Sequence, residues 1–223
     1  MRTTIRRLPL ALLAAACFAT ALHAQDLGVD VVRDPSNDLA MYTVDVNGPP
    51  NGSLYLFASL NVTPPYSVYP VLNSLYLDPF GAQQLGGATL LGPLGTAGYQ
   101  FQLPMTLWQD QHIHFQSIAI DTSFTFAATN LGCGIQGAAP VPAGGGLEWS
   151  GSYRTNPDVY TLKVMGQPGA QVRLLVNGGQ KGEAFAILDA NGEATITLPV
   201  QLAPGDALNI EQNGASVHSW SWT

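Results

Sequence analysis

The chain has 223 residues, of which 46% are hydrophobic and only 10% charged, with 24 Gly and 16 Pro. Soluble domains average about 25% charged residues, so little Lys, Glu or Arg is left for solvent-facing helices, while Gly and Pro supply the tight turns of a strand-rich chain. The apolar content and the lack of charge runs exclude a disordered polymer.

In chain order the first element is a leader. Arg2, Arg6 and Arg7 form a basic n-region, Leu8 to Phe18 an apolar run, and Leu22-His23-Ala24 a small-residue cleavage pattern, so residues 1–24 read as a secretory signal peptide. The run is shorter than the about 20 residues of a membrane-spanning helix. Cys17 lacks the leucine that opens a lipoprotein tetrad, and Leu8-Pro9 fits poorly behind a twin-arginine pair. Export to the periplasm, the cell surface or the medium follows. Beyond residue 24, Arg33, Arg154, Lys163, Arg173 and Lys181 face 15 acidic groups, a formal charge of −10. Five scattered cations cannot neutralise a phosphate backbone, which excludes nucleic-acid binding, and an acidic chain is repelled from anionic membranes. Cys133 is the one cysteine left after cleavage, so no intramolecular disulfide forms; either it pairs between chains or, with no cation nearby to activate it, it is a buried or quiet thiol, the reading favoured here.

The rest of the chain repeats itself. Residues 28–58 slide onto 146–176 without a gap, with Tyr42-Thr43-Val44-Asp45-Val46-Asn47-Gly48 facing Tyr160-Thr161-Leu162-Lys163-Val164-Met165-Gly166. Asp78-Pro79-Phe80-Gly81 then faces Asp189-Ala190-Asn191-Gly192, and Leu103-Pro104 faces Leu198-Pro199, which places an insertion in the first copy at about 82–102. Ile113 and Phe115 face Leu208 and Ile210, and Phe124 and Phe126 face Trp220 and Trp222. The expected organisation is a first unit at 28–127, a Gly/Ala/Pro linker at 128–145 and a second unit at 146–223. Each unit shows about seven short apolar runs bounded by Gly, Pro or Asn-Gly; in the second they fall near 147–152, 159–165, 171–177, 183–188, 193–198, 206–212 and 215–222. This spacing predicts an all-β protein made of two tandem immunoglobulin-like or fibronectin-like β-sandwich units. Asn191-Gly192 carries the strongest hairpin signal, with Asn177-Gly178 as a second.

Leu131-Gly132-Cys133-Gly134, the Pro/Gly/Ala stretch, Tyr160 to Ala170 (Tyr-Thr-Leu-x-Val-x-Gly-x-Pro-Gly-Ala) and Asp189 to Pro199 (Asp-Ala-x-Gly-x-Ala-x-Ile-x-Leu-Pro) resemble large families of secreted bacterial repeat proteins. The resemblance spans nearly all of the chain after the leader. It implies an exported β-sandwich without an established activity and brings no catalytic residues; a second cysteine common within such units is missing here.

Candidate chemistry is thin. No Gly-x-Ser-x-Gly elbow occurs, Ser150 and Ser152 read as strand residues, and no Gly-rich loop opens a helix, so no cofactor is expected. Asp189 to Glu193 spaces oxygens like a calcium loop, but position 12 is Val200, so it reads as a turn. His112 and His114 lie two apart on one strand face, where two imidazoles can share a zinc, with Asp110 or His218 as a third ligand. His218, Trp220 and Trp222 share a stripe that reads as core. Trp108, with Tyr66, Tyr69 and Tyr99, offers aromatic faces for stacking on a sugar. Three readings follow: a noncatalytic structural or adhesive module that contacts an extracellular protein or polysaccharide, a glycan-binding module on the first-unit aromatics, and a zinc-dependent hydrolase at His112 and His114.

Overall fold

The computed structural model describes residues 25–34, 37–67, 75–107, 109–137, 146–155 and 157–222; the expected leader and the 138–145 part of the expected linker lie outside the described residues. The first half forms β1 (Asp26–Asp34), β2 (Leu39–Asn47), β3 (Ser53–Ser59), β4 (Val62–Tyr66), β5 (Leu75–Leu77), β6 (Gln83–Gln84), β7 (Thr89–Leu90), β8 (Thr96–Pro104), β9 (His112–Ile120), β10 (Phe126–Ala128) and β11 (Gly132–Gln136). The second forms β12 (Glu148–Arg154), β13 (Val159–Met165), β14 (Gln171–Val176), β15 (Gly182–Ile187), β16 (Glu193–Pro199), β17 (Ala207–Gln212) and β18 (Ala215–Ser221). Alternation makes these strands half-buried: in β2, Ala40, Tyr42, Val44 and Val46 are buried while Met41 and Asp45 are exposed, and the intervening residues face outward.

Both halves use one pairing plan. The second unit places β12-β13-β16 in one sheet and β15-β14-β17-β18 in the other, a sandwich of three plus four antiparallel strands of the immunoglobulin-like kind. The first unit repeats it with β1-β2-β8 against β3 and β9, and with β6 and β7 together in the place of β15. Its seventh strand is split. β10 pairs with Ile118 to Ile120, and β11 resumes against His112 to Phe115.

β11 corrects the expected linker: its residues lie at the centre of the molecule. While it completes the first unit, it also pairs along β12, the first strand of the second. The two units therefore share one nine-stranded sheet, β16-β13-β12-β11-β9-β3-β6 with β7 and β10 alongside. The Gly-Cys-Gly sequence explains how one strand serves two cores. A Cβ at Gly132 would stand 2.4 Å from Leu27 Cδ2, and one at Gly134 would stand 2.7 Å from Val31 Cγ2 and 2.8 Å from the Tyr42 ring. The bare face thus lets β1 and β2 close down. Cys133 and Ile135 point the other way, into the second core with Trp149, Tyr153 and Tyr160.

The pairing registers also move the insertion. Gly192, with φ +81°, docks on Gly166, whose N–H donates to Gly192 O at 2.8 Å. In the first unit the same place is taken by Gly95, with φ +69° and Gly48 N–H donating at 2.7 Å, and not by Gly81. A Cβ on either docking glycine would lie within 2.3 Å of the opposing carbonyl oxygen. Asp78 imitates Asp189 because both carboxylates accept an N–H two residues on, from Phe80 and Asn191; that local turn occurs at two different points of the fold. The extra length of the first unit accordingly lies between β3 and β6, where the second unit turns directly from β14 to β15, and it contains the β4–β5 hairpin. Leu103 and Phe115 likewise shift by two residues, to match Val200 and Leu208; Phe115 faces Ala58 as Leu208 faces Val176.

Filling the bare face of β11 should be costly. We expect Gly134→Val to lower the urea-unfolding free energy by about 1–3 kcal/mol through overpacking, and Gly28→Ala, which meets nothing within 4 Å, to leave the curve nearly unchanged.

Candidate functional site

The histidine pair comes from strand alternation. Ile113 and Phe115 face the first core, so His112 and His114 leave β9 on its opposite face, with rings 6.0 Å apart. That face is covered. Trp222, just beyond β18, sets its ring edge-on at 4.7 Å from His112 and 5.6 Å from His114, and Tyr153 stands 4.9 Å from Trp222. His112 is 5% and His114 0% exposed. Loss of hydration lowers His112 from 6.5 to about 4. Burial, followed by the neighbouring His112, lowers His114 to about 3. Both are neutral packing groups near pH 7.

Asp110 does not join them. β9 begins only at His112, and Asp110 sits in a left-handed turn at φ +58°, its N–H donating to Gln136 O at 2.8 Å. Its carboxylate instead lies 3.2 Å from His218 Nε2. His218 belongs to an aromatic stack, 5.1 Å from Trp149, which stacks on Trp220 at 4.4 Å. The four residues thus divide into a His112–His114 pair and an Asp110–His218 pair. Among the described residues, no group of three or more His, Cys, Asp or Glu side chains is placed to hold a metal.

Trp220 packs against the second core and Trp222 lies within it. The expected match with Phe124 and Phe126 fails: Phe124 occupies a left-handed turn at φ +60° and is 81% exposed. The β11 segment took over the place that a continued β10 would fill. Cys133 is buried between Gly132 and Gly134, and desolvation raises its thiol well above the usual range, which keeps it protonated. Ser150 is a strand residue whose hydroxyl donates to Val31 O at 2.8 Å.

Sequence reading passed over Arg33. Buried at the end of β1, it donates from Nη1 to Trp149 O at 3.3 Å, and desolvation lowers its pKa against the opposing pull of Glu148, Asp110 and Asp38. Its signal was an arginine at the end of the inward stripe Leu27, Val29, Val31.

Of the proposed sugar-stacking residues, Trp108 and Tyr69 lie outside the described residues. Tyr66 belongs to the β4–β5 hairpin, where its hydroxyl donates to Leu77 O at 2.9 Å. Tyr99 faces inward from β8 and lines a cleft of about 970 Å³ between the two sheets of the first unit. Leu56, Ala58, Phe101, Leu103 and Phe115 form its walls.

No protein-family model matches the chain, and no curated protein matches it. Among solved structures it is similar to red sea bream transglutaminase, at 10% identity over 93% of this chain and 32% of that one, with a TM-score of 0.29. The chain therefore spans about a third of that enzyme's length. It is also similar to the D0–D1 domains of intimin, at 13% identity over 88% and 97% of the two chains with a TM-score of 0.29. A sporulation control protein of Bacillus subtilis matches at 12% identity over 90% and 91%, with a TM-score of 0.26. These likenesses are too distant to bring an activity with them.

The buried imidazoles tie stability to pH. Their folded pKa values lie below the unfolded value of 6.5, so below pH 6.5 the unfolded chain binds more protons and stability falls as pH drops toward 4 and then 3. Urea unfolding at pH 7 and pH 4.5 should differ by on the order of a few kcal/mol from this source, and His114→Leu should flatten that dependence relative to wild type.

Proposed function

We propose that this chain is a noncatalytic, exported β-sandwich module with a structural or adhesive role. The observation that carries the reading is the loop end of the first unit. Asn51 N–H donates to Gly92 O at 3.1 Å and Leu91 N–H to Gly52 O at 2.8 Å, and Ser53 pairs with Ile120 just before the turn that holds Phe124. Three loops therefore meet at one end, where Leu90, Leu94 and Phe124 are 81%, 85% and 81% exposed. Large apolar side chains gathered on neighbouring loops mark a contact surface more often than idle surface. The shared sheet gives those loops a stiff mount, and His112, His114 and Cys133 are buried within it.

The partner that suits such loops is an extracellular surface offering apolar contact, a protein before a polysaccharide. Purified chain should sediment with the insoluble cell envelope of its source organism. The combined variant Leu90→Ser, Leu94→Ser and Phe124→Ser should shift most of it to the supernatant with an unchanged melting curve. Wild type that stays in the supernatant, or a triple variant that still sediments, overturns the reading.

A further inference from the structure

The two units provide an internal comparison, since the same fold is built twice and one copy is closed where the other gapes. In the second unit β15 runs unbroken for six residues along β14. Against it, the inward residues Ile196, Leu198 and Val200 are 2%, 5% and 6% exposed. The docking glycines and paired strands place Tyr99, Phe101 and Leu103 of β8 at those same positions, yet all three are only half-buried. The difference lies in the strand opposite. Where β15 is continuous, the first unit has β6 and β7 of two residues each, interrupted at Leu85 to Ala88. Within that break Gly86 has φ +74°, and a Cβ on Gly86 or Gly87 would meet no atom within 4 Å. The β7 end of this interrupted edge is pinned by the Tyr99 hydroxyl donating to Thr89 Oγ1 at 2.9 Å; Leu60, 40% exposed, and the exposed Asn61 also line the cleft.

We propose that this cleft is a binding site for an uncharged, predominantly apolar small molecule that completes the first sandwich. The class follows from the walls. Among the described residues, no Asp, Glu, Lys, Arg or His side chain lines the about 970 Å³ space, although the protein carries 15 acidic groups. An ionised ligand would lose its hydration there without a charge partner. Tyr99, Phe101 and Phe115 offer ring surface, and Phe101 is held by stacking on Tyr42 at 5.4 Å between centroids. Ser59, Asn61, Gln83 and Gln100 at the cleft supply neutral donors and acceptors for a hydroxyl or amide on the ligand. The volume is at the upper end of small-molecule sites, about 300–1,000 Å³.

The test uses the full exported chain and the neutral fluorophore N-phenyl-1-naphthylamine. Saturable enhancement at one site per chain is expected. Leu103→Glu in the wall and Leu60→Glu at the rim should each weaken it at least tenfold. Leu60 is already 40% exposed, so its variant keeps the test valid if the buried change impairs folding. Phe185→Glu, on the exposed face of β15, should leave binding unchanged. The anionic analogue 8-anilinonaphthalene-1-sulfonate should bind at least tenfold more weakly than the neutral probe. The proposal is overturned by an absence of saturable binding, by equal binding of the two probes, or by rim and wall variants that bind like wild type. It is also overturned if sedimentation shows a dimer that Leu60→Glu dissociates, since a second copy then occupies the cleft.

Discussion

The architecture depends on the steric constraint at β11. A strand that closes one sandwich usually leaves its far edge free, and here that edge is the pairing line for the next unit. The arrangement works because the two faces of β11 ask for opposite things. The first unit brings Leu27, Val31 and Tyr42 so close that only glycine fits at 132 and 134, while the second leaves room for Cys133 and Ile135 in its own core. Two successive glycines on one face would ordinarily weaken a strand. Pairing on both sides and full burial offset that entropy cost. An open edge, with its tendency to recruit other chains, is removed from the middle of the molecule.

A shared strand changes what the duplication means physically. Separate beads on a Gly/Pro tether move independently, whereas these units exchange backbone hydrogen bonds through a common sheet, and Trp222 of the second covers the imidazoles of the first. The histidines are tolerated because they are neutral at ordinary pH. Their burial also shows why a metal reading based on spacing alone fails, since alternation along a strand reports a common face and says nothing of what lies over it.

Much of the fold was legible because period-two burial is a local property: the seven expected runs of the second unit coincide with β12 to β18 within two residues at each end. Turn chemistry was legible only in part. In the second unit Asn-Gly occurs at 177–178, 191–192 and 213–214. At 177–178 and 213–214 both residues have positive φ, and strands that pair are joined, β14 to β15 and β17 to β18. At 191–192 only Gly192 does, because the turn hangs from Asp189 and carries the chain from one sheet to the other. The dipeptide is the same and the destination differs. The candidate cleft was hidden for a related reason: Tyr99 was visible as an aromatic and Gly86-Gly87 as a Gly-rich stretch, but only the pairing of β6 and β7 with β3 shows that this stretch interrupts the strand beside the cleft.

The low charged fraction finds its explanation at the seam. Arg154 pairs with Asp26 at 3.2 Å, Lys163 with Asp30 at 2.6 Å, and Arg33 reaches Trp149 O, so three of the five described cations tie β1 to the second unit. The other two, Arg173 with Glu183 and Glu211, and Lys181 with Asp206, are placed within the second unit. Partly exposed pairs of this kind contribute about 0–1 kcal/mol each, too little to hold two units together against the loss of buried apolar surface at β11. Their value is directional. A slip of β1 by one residue would turn Asp26 and Asp30 away from their partners and reverse every inward side chain, so the sparse charges select the register while the apolar seam supplies the cohesion.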